Sequence, residues 1–203
     1  MSTKCALTLR STGRAGTGLR SGRRRRGPPV SLNVRAHDSV VTLRCTRKLL
    51  RRLRVDPPHS TRPPTTVLGD WHANLLVWRP QLIHCMSDRA LLSVLLPARD
   101  STSFPARLCA ELERLLARLG VPVQARSAEI TAMSSFEFSP TSNRSVLGCM
   151  RDAELALAYA VESGRFANLG ELQWHLTDHI HKPTGYRHPG ELAVELLATT
   201  AHA

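Results

Sequence analysis

Large apolar side chains enter this chain in number only at Val40. Residues 10–38 are almost entirely arginine, glycine, serine, threonine and proline, with almost nothing large and apolar among them. A segment of that composition cannot bury enough surface to offset the entropy of ordering its backbone, about 1–2 kcal/mol per residue. Any core is therefore built from Val40 onward, and residues 40–200 are enough for a single domain.

Charge divides at nearly the same place. Residues 1–40 carry nine basic side chains against Asp38, a net +8, and residues 41–54 add six more with no acid. The rest holds 13 basic and 15 acidic groups, a net −2, so the overall +12 belongs to an extension and the first helix rather than to the whole surface. Three readings fit residues 1–39: a disordered basic arm, text upstream of a translation start at Val40 or Val41, or an organelle targeting segment. The five cysteines are odd in number, unclustered and without a CxxC, which suits free thiols in a reducing cytoplasm. No apolar run reaches the roughly 18 residues that would cross a membrane.

Periodicity gives the elements. SVVTLRC (39–45) reads as a strand, and Thr46 as the cap of a helix whose Leu49, Leu50 and Leu53 form one stripe. Prolines at 57, 58, 63 and 64 make 55–65 a loop. Gly69-Asp70, Arg79-Pro80 and Ser87-Asp88 then divide an apolar stretch into three strands, about 71–78, 81–87 and 90–96. Helices follow over about 104–119, 124–133, 142–163, from Asn168 onward, and 189–199, with SFEFS (135–139) alternating as a strand. Strands first and helices later predict an α+β fold: a small antiparallel sheet, the meander over about 71–96 plus the N-terminal strand, against several C-terminal helices.

Two polar motifs stand inside these apolar elements. Asp70, His72 and Asn74 open the meander, with His72 and Asn74 on one side of a strand, and could supply a base, a ligand or an orienting group. Asn143, Arg144 and Ser145 open a helix, with Thr141 or Ser142 as its cap, and could hold an anion. If Asp70 and Arg144 meet, they form one site or a buried ion pair. The plain alternative for both motifs is turn formation, capping and packing. On the first helix, Arg47, Lys48, Arg51 and Arg52 could contact nucleic-acid phosphates, or form a solvated face over the buried leucines. His175 and His179 are spaced to share a helical face, yet the glutamate of a HExxH site is missing. No phosphate loop, nucleophile elbow or paired-acid motif occurs, and no cofactor or metal is expected.

VTLRCTRKLLRRL (41–53), TTVLGDWHANLL (65–76) and TSNRSVLGCMRD (141–152) together resemble a family of small, mostly bacterial proteins, domain of unknown function 6933. The resemblance runs from about Val40 through GYRHPGE (185–191). It implies a domain boundary near Val40 and no activity. Members tend to carry an aromatic at His72, Ser at Cys149, Asn at Arg151 and Cys at His181, so these four side chains take no role from the resemblance. The leading expectation is a noncatalytic binding or regulatory module, with an anionic ligand or protein partner near Asp70, His72, Asn74, Asn143, Arg144 and Ser145. The alternatives are an enzyme, a hydrolase or nuclease-like toxin using the same residues, and nucleic-acid binding by the basic arm and first helix.

Overall fold

A computed structural model describes residues 39–99 and 103–200, so the basic extension lies outside the described residues but for Ser39. The elements are β1 (Val40–Cys45), α1 (Arg47–Leu53), β2 (Trp71–Leu76), β3 (Leu82–Ser87), β4 (Ser93–Pro97), α2 (Phe104–Arg118), α3 (Val123–Ala132), β5 (Ser135–Pro140), α4 (Arg144–Glu162), α5 (Leu169–His175) and α6 (Pro189–Thr200). The fold is α+β, with one five-stranded sheet in the order β4-β3-β2-β1-β5.

The meander β2-β3-β4 is antiparallel, as its short turns require. β1, however, runs parallel to both β2 and β5, so the sheet is mixed rather than wholly antiparallel. Alternation along a strand encodes which face is buried and says nothing of a neighbour's direction. The return from Cys45 to Trp71 passes through α1 and the proline-rich loop, long enough for a parallel crossover. β4 starts at Ser93, later than its leucines suggest, because Leu91 turns the chain at φ 53°.

The two faces of the sheet differ in chemistry. One carries Val41, Leu43, Trp71, Ala73, Ile83, Cys85, Val94 and Leu96, and packs into a single core with Phe104, Leu108 and Leu112 of α2 and with Ala193 and Leu197 of α6. Each such leucine removed from water contributes about 1.5–3 kcal/mol. The other face is mixed: Thr42 and Arg44 on β1, His72 and Asn74 on β2, His84 and Met86 on β3, and Ser93 and Leu95 on β4. Val146, Met150, Ala153 and Leu157 of α4 and Leu172 of α5 pack on its apolar part. Over β1 and β5 the cover is the proline-rich loop, where the Ser60 N–H donates to Ser139 Oγ at 2.9 Å and the Ser60 hydroxyl bonds Glu137.

Helix α5 also protects the free edge of β4. Gln173, 4% exposed, accepts from Leu95 N at 2.6 Å and donates to Ser93 O at 2.5 Å. Its side-chain amide occupies the place of a strand partner and leaves those backbone groups unavailable for edge pairing.

Candidate functional site

His72 and Asn74 point into the mixed face, where burial demands partners, while Arg144 and Ser145 are exposed. His72 and Asn74 share a side of β2, as alternation requires, and the register sets His72 beside Arg44 and Asn74 beside His84. Asp70 is 3% exposed and accepts from Arg44 Nε at 2.9 Å and Nη2 at 2.8 Å. Burial pushes the Asp70 carboxyl up despite this pairing. Asp70 therefore meets Arg44 and not Arg144, which is exposed at the start of α4 with no ion pair among the described residues.

Two short chains of bonds run from β2 to α4. In the first, His72 Nδ1 lies 3.0 Å from Thr141 Oγ1 and His72 Nε2 lies 3.4 Å from Asp88 Oδ1. The same Asp88 oxygen accepts from Asn143 Nδ2 at 3.2 Å. The bond from His72, helped by Arg44, holds the Asp88 carboxyl below its ordinary value against the opposing effect of burial. In the second chain, Asn74 Oδ1 accepts from Thr46 Oγ1 at 2.9 Å and Asn74 Nδ2 donates to Glu154 Oε1 at 2.8 Å. His84 Nδ1 sits 3.3 Å from that oxygen, and His84 Nε2 sits 3.0 Å from Ser93 Oγ. Burial alone would raise the Glu154 carboxyl; the bonds from His84 and Asn74 together outweigh it and bring it below its ordinary value.

This arrangement corrects two details of capping. Asn143, not Thr141 or Ser142, caps α4, its Oδ1 accepting from Ser145 N at 3.1 Å and Val146 N at 3.3 Å. Backbone donors expected to meet an anion are thus already engaged. Thr46 makes no side-chain cap on α1, because its hydroxyl is committed to Asn74. His175 ends α5, and His179 follows a 3-10 turn over Leu176–Asp178, so the two do not share a helical face. On α1, Arg47, Lys48, Arg51 and Arg52 are all exposed above the buried Leu49 and Leu50.

The sequence reading missed Arg44, Asp88, Thr141 and Glu154. The signal available was the requirement itself: His72, Asn74 and His84 on strands read as buried had to find partners on another element.

A larger concavity lies at the other end of the mixed face, where a groove of about 900 Å³ opens. The turn between β2 and β3 supplies Trp78 and Arg79, β3 supplies Leu82, β4 supplies Pro97, and Arg99 follows β4. Ala158, Val161 and Glu162 of α4 form one side, Phe166, Leu169 and Leu172 another, and Arg52 reaches it from α1. The wall formed by Phe166 and the start of α5 is braced. Phe166 lies 5.0 Å from the His175 ring, Asn168 Oδ1 accepts from Glu171 N at 3.0 Å, and Glu171 accepts from Ala167 N at 2.8 Å. Leu82 and Leu172 are nearly buried at its floor, while Arg52, Arg79 and Arg99 are exposed and carry no ion pair among the described residues. None of Asp70, His72, Asn74, Asn143, Arg144 or Ser145 lines this groove.

These features define a small α+β protein built on one mixed sheet, apolar on one face and polar and internally bonded on the other. The chain belongs to the family described as Domain of unknown function (DUF6933), whose sequence profile matches residues 42–192. That span contains both polar motifs and every residue that lines the groove. No curated protein and no solved structure matches the chain. No helix among the described residues is long and apolar enough to cross a membrane.

Proposed function

We propose that this chain is a noncatalytic binding module whose ligand sits in the groove between α4, α5 and the turn from β2 to β3. One observation carries the reading: the groove combines an apolar floor, two aromatic side chains and three exposed arginines without an ion pair among the described residues, in a volume of about 900 Å³, within the roughly 300–1,000 Å³ of small-molecule sites. Asp70, His72, Asn74 and Asn143 serve in this reading as ties that hold α4 and β1 to the sheet. Among the described residues the thiols of Cys45, Cys85 and Cys149 are free, which supports a reducing, cytoplasmic setting.

The test is a fragment screen by ligand-observed NMR against the wild type, Ala158→Trp and Arg144→Ala, with circular dichroism to verify folding. Fragment binding is expected to be lost on filling the groove at Ala158 and kept at Arg144→Ala. The reverse pattern would move the site to the start of α4 and overturn the reading.

A second reading, a hydrolase, draws on the line Thr141–His72–Asp88, which has the order of a nucleophile, a base and an orienting carboxylate. Against it stand the burial of His72, 1% exposed, and the engagement of the nearby Ser145 and Val146 N–H groups by Asn143. Thr141→Val would abolish hydrolysis of p-nitrophenyl acetate under this second reading and leave it at background under the first.

A further inference from the structure

We infer that the ligand of this groove is a small amphipathic anion, an oxyanion head on a medium-length hydrocarbon body. The inference rests on the groove being the ligand site.

The floor and walls determine the body. Leu82 and Leu172 are 6% and 9% exposed, and with Ala158 they offer a surface without hydrogen-bonding side chains, flanked by the rings of Trp78 and Phe166. Gln81 and Asn168 also line the groove at exposed positions, so the apolar preference belongs to the floor, where a hydrocarbon gains from leaving water. The rim determines the head. Arg52, Arg79 and Arg99 come from three separate elements, α1, the turn after β2 and the segment after β4, yet all line one concavity. Among the described residues Glu162 is the one carboxylate in the lining, so the described rim carries a net +2.

Three exposed guanidinium groups against one carboxylate give the slot a positive potential that attracts an anion. The planar guanidinium matches two oxygens of a carboxylate or a phosphate head.

The experiment uses the full chain and its three tryptophans, of which Trp78 alone lines the groove. Octanoate, octanol and octylammonium are titrated while the three indole N–H signals are followed, with Trp78→Phe assigning the reporter. Octanoate is expected to shift the Trp78 signal and spare buried Trp71. Octanol is expected to bind about tenfold more weakly and octylammonium not at all. Hexanoate should bind roughly tenfold more weakly than octanoate, from the loss of two methylenes. The triple variant Arg52→Gln/Arg79→Gln/Arg99→Gln should weaken octanoate binding about tenfold or more, each exposed charge being worth up to about fivefold, and leave octanol within about twofold.

Equal binding of octanol and octanoate, both shifting Trp78, would overturn the anionic class and leave the groove as the site. Octanoate binding without movement of the Trp78 signal would overturn both this inference and the assignment of the groove. Displacement of octanoate by oligothymidylate, with the Trp78 signal moving, would reassign the groove to a nucleic-acid strand and overturn the inference as well.

Discussion

Replacing Asp70 by alanine strands the Arg44 guanidinium on the mixed face of the sheet. Arg44 bonds Asp70 through Nε and Nη2 at 2.9 and 2.8 Å, and the two side chains are 17% and 4% exposed. Removing one member of a buried pair costs about 3–5 kcal/mol, because the remaining charge stays desolvated and unpaired. Arg44 keeps some contact with water and a bond to Ser60 O at 3.3 Å, which sets the expectation near the lower bound, about 3 kcal/mol. For a chain of this size that is a fall in Tm of about 6–12 °C. The assay is urea unfolding followed by tryptophan fluorescence, since Trp71 is fully buried beside Asp70. Two comparisons isolate the cause. Arg144→Ala, an exposed change one motif away, should stay within about 0.5 kcal/mol of wild type. The paired change Arg44→Met/Asp70→Leu removes both charges and should recover most of the loss. An Asp70→Ala protein of wild-type stability, or a paired variant no more stable than the single one, would refute the view that this motif is a structural tie.

Gly69 holds φ +83°, and an added Cβ would lie 3.2 Å from both Arg89 Cγ and Asp88 Cβ; Gly69→Ala should cost about 1–3 kcal/mol, read as a lower urea midpoint. Asn143→Ala removes the cap of α4 and the bond to Asp88 together and should cost about 1–2 kcal/mol by thermal unfolding, with Asn143→Ser recovering part of it. Burial, reinforced by neighbouring His179, lowers the His181 imidazole to about 4. The unfolded chain therefore takes up this proton first, near the ordinary value of about 6.5, so stability present above that pH declines as pH falls toward 4. His181→Leu should flatten the urea midpoint between pH 6.5 and 5, and an unchanged slope would place the effect elsewhere.

Most helices and the meander were legible in local pattern. Leu108, Leu112 and Leu115 recur at helical spacing and are buried in α2, and Asn168 with Glu171 makes the capping contacts their spacing announces. Strand direction was not legible, because SFEFS alternates identically whether it joins β1 parallel or antiparallel. The polar motifs were recognisable as exceptional within apolar strands, yet their partners lie far along the chain: Thr141 is 69 residues from His72, and Glu154 is 80 residues from Asn74. Asp88 read as a turn residue, and Glu154 belongs to no motif of the sequence. The groove had no local signature at all. Its arginines sit at a helix end, in a turn and beyond a strand, where arginine is unremarkable, and only the folded sheet gathers them.

In the proposed function, ligand enters the groove while the GDWHAN and SNRS motifs hold the fold. The most direct measurement is a set of backbone and indole NMR spectra recorded as octanoate is added. The predicted result is movement of the Trp78 indole and of the Phe166 and Leu169 amides, with the Ser145 and Val146 amides unmoved beneath their Asn143 cap. Movement centred on residues 143–146, with Trp78 silent, would contradict it.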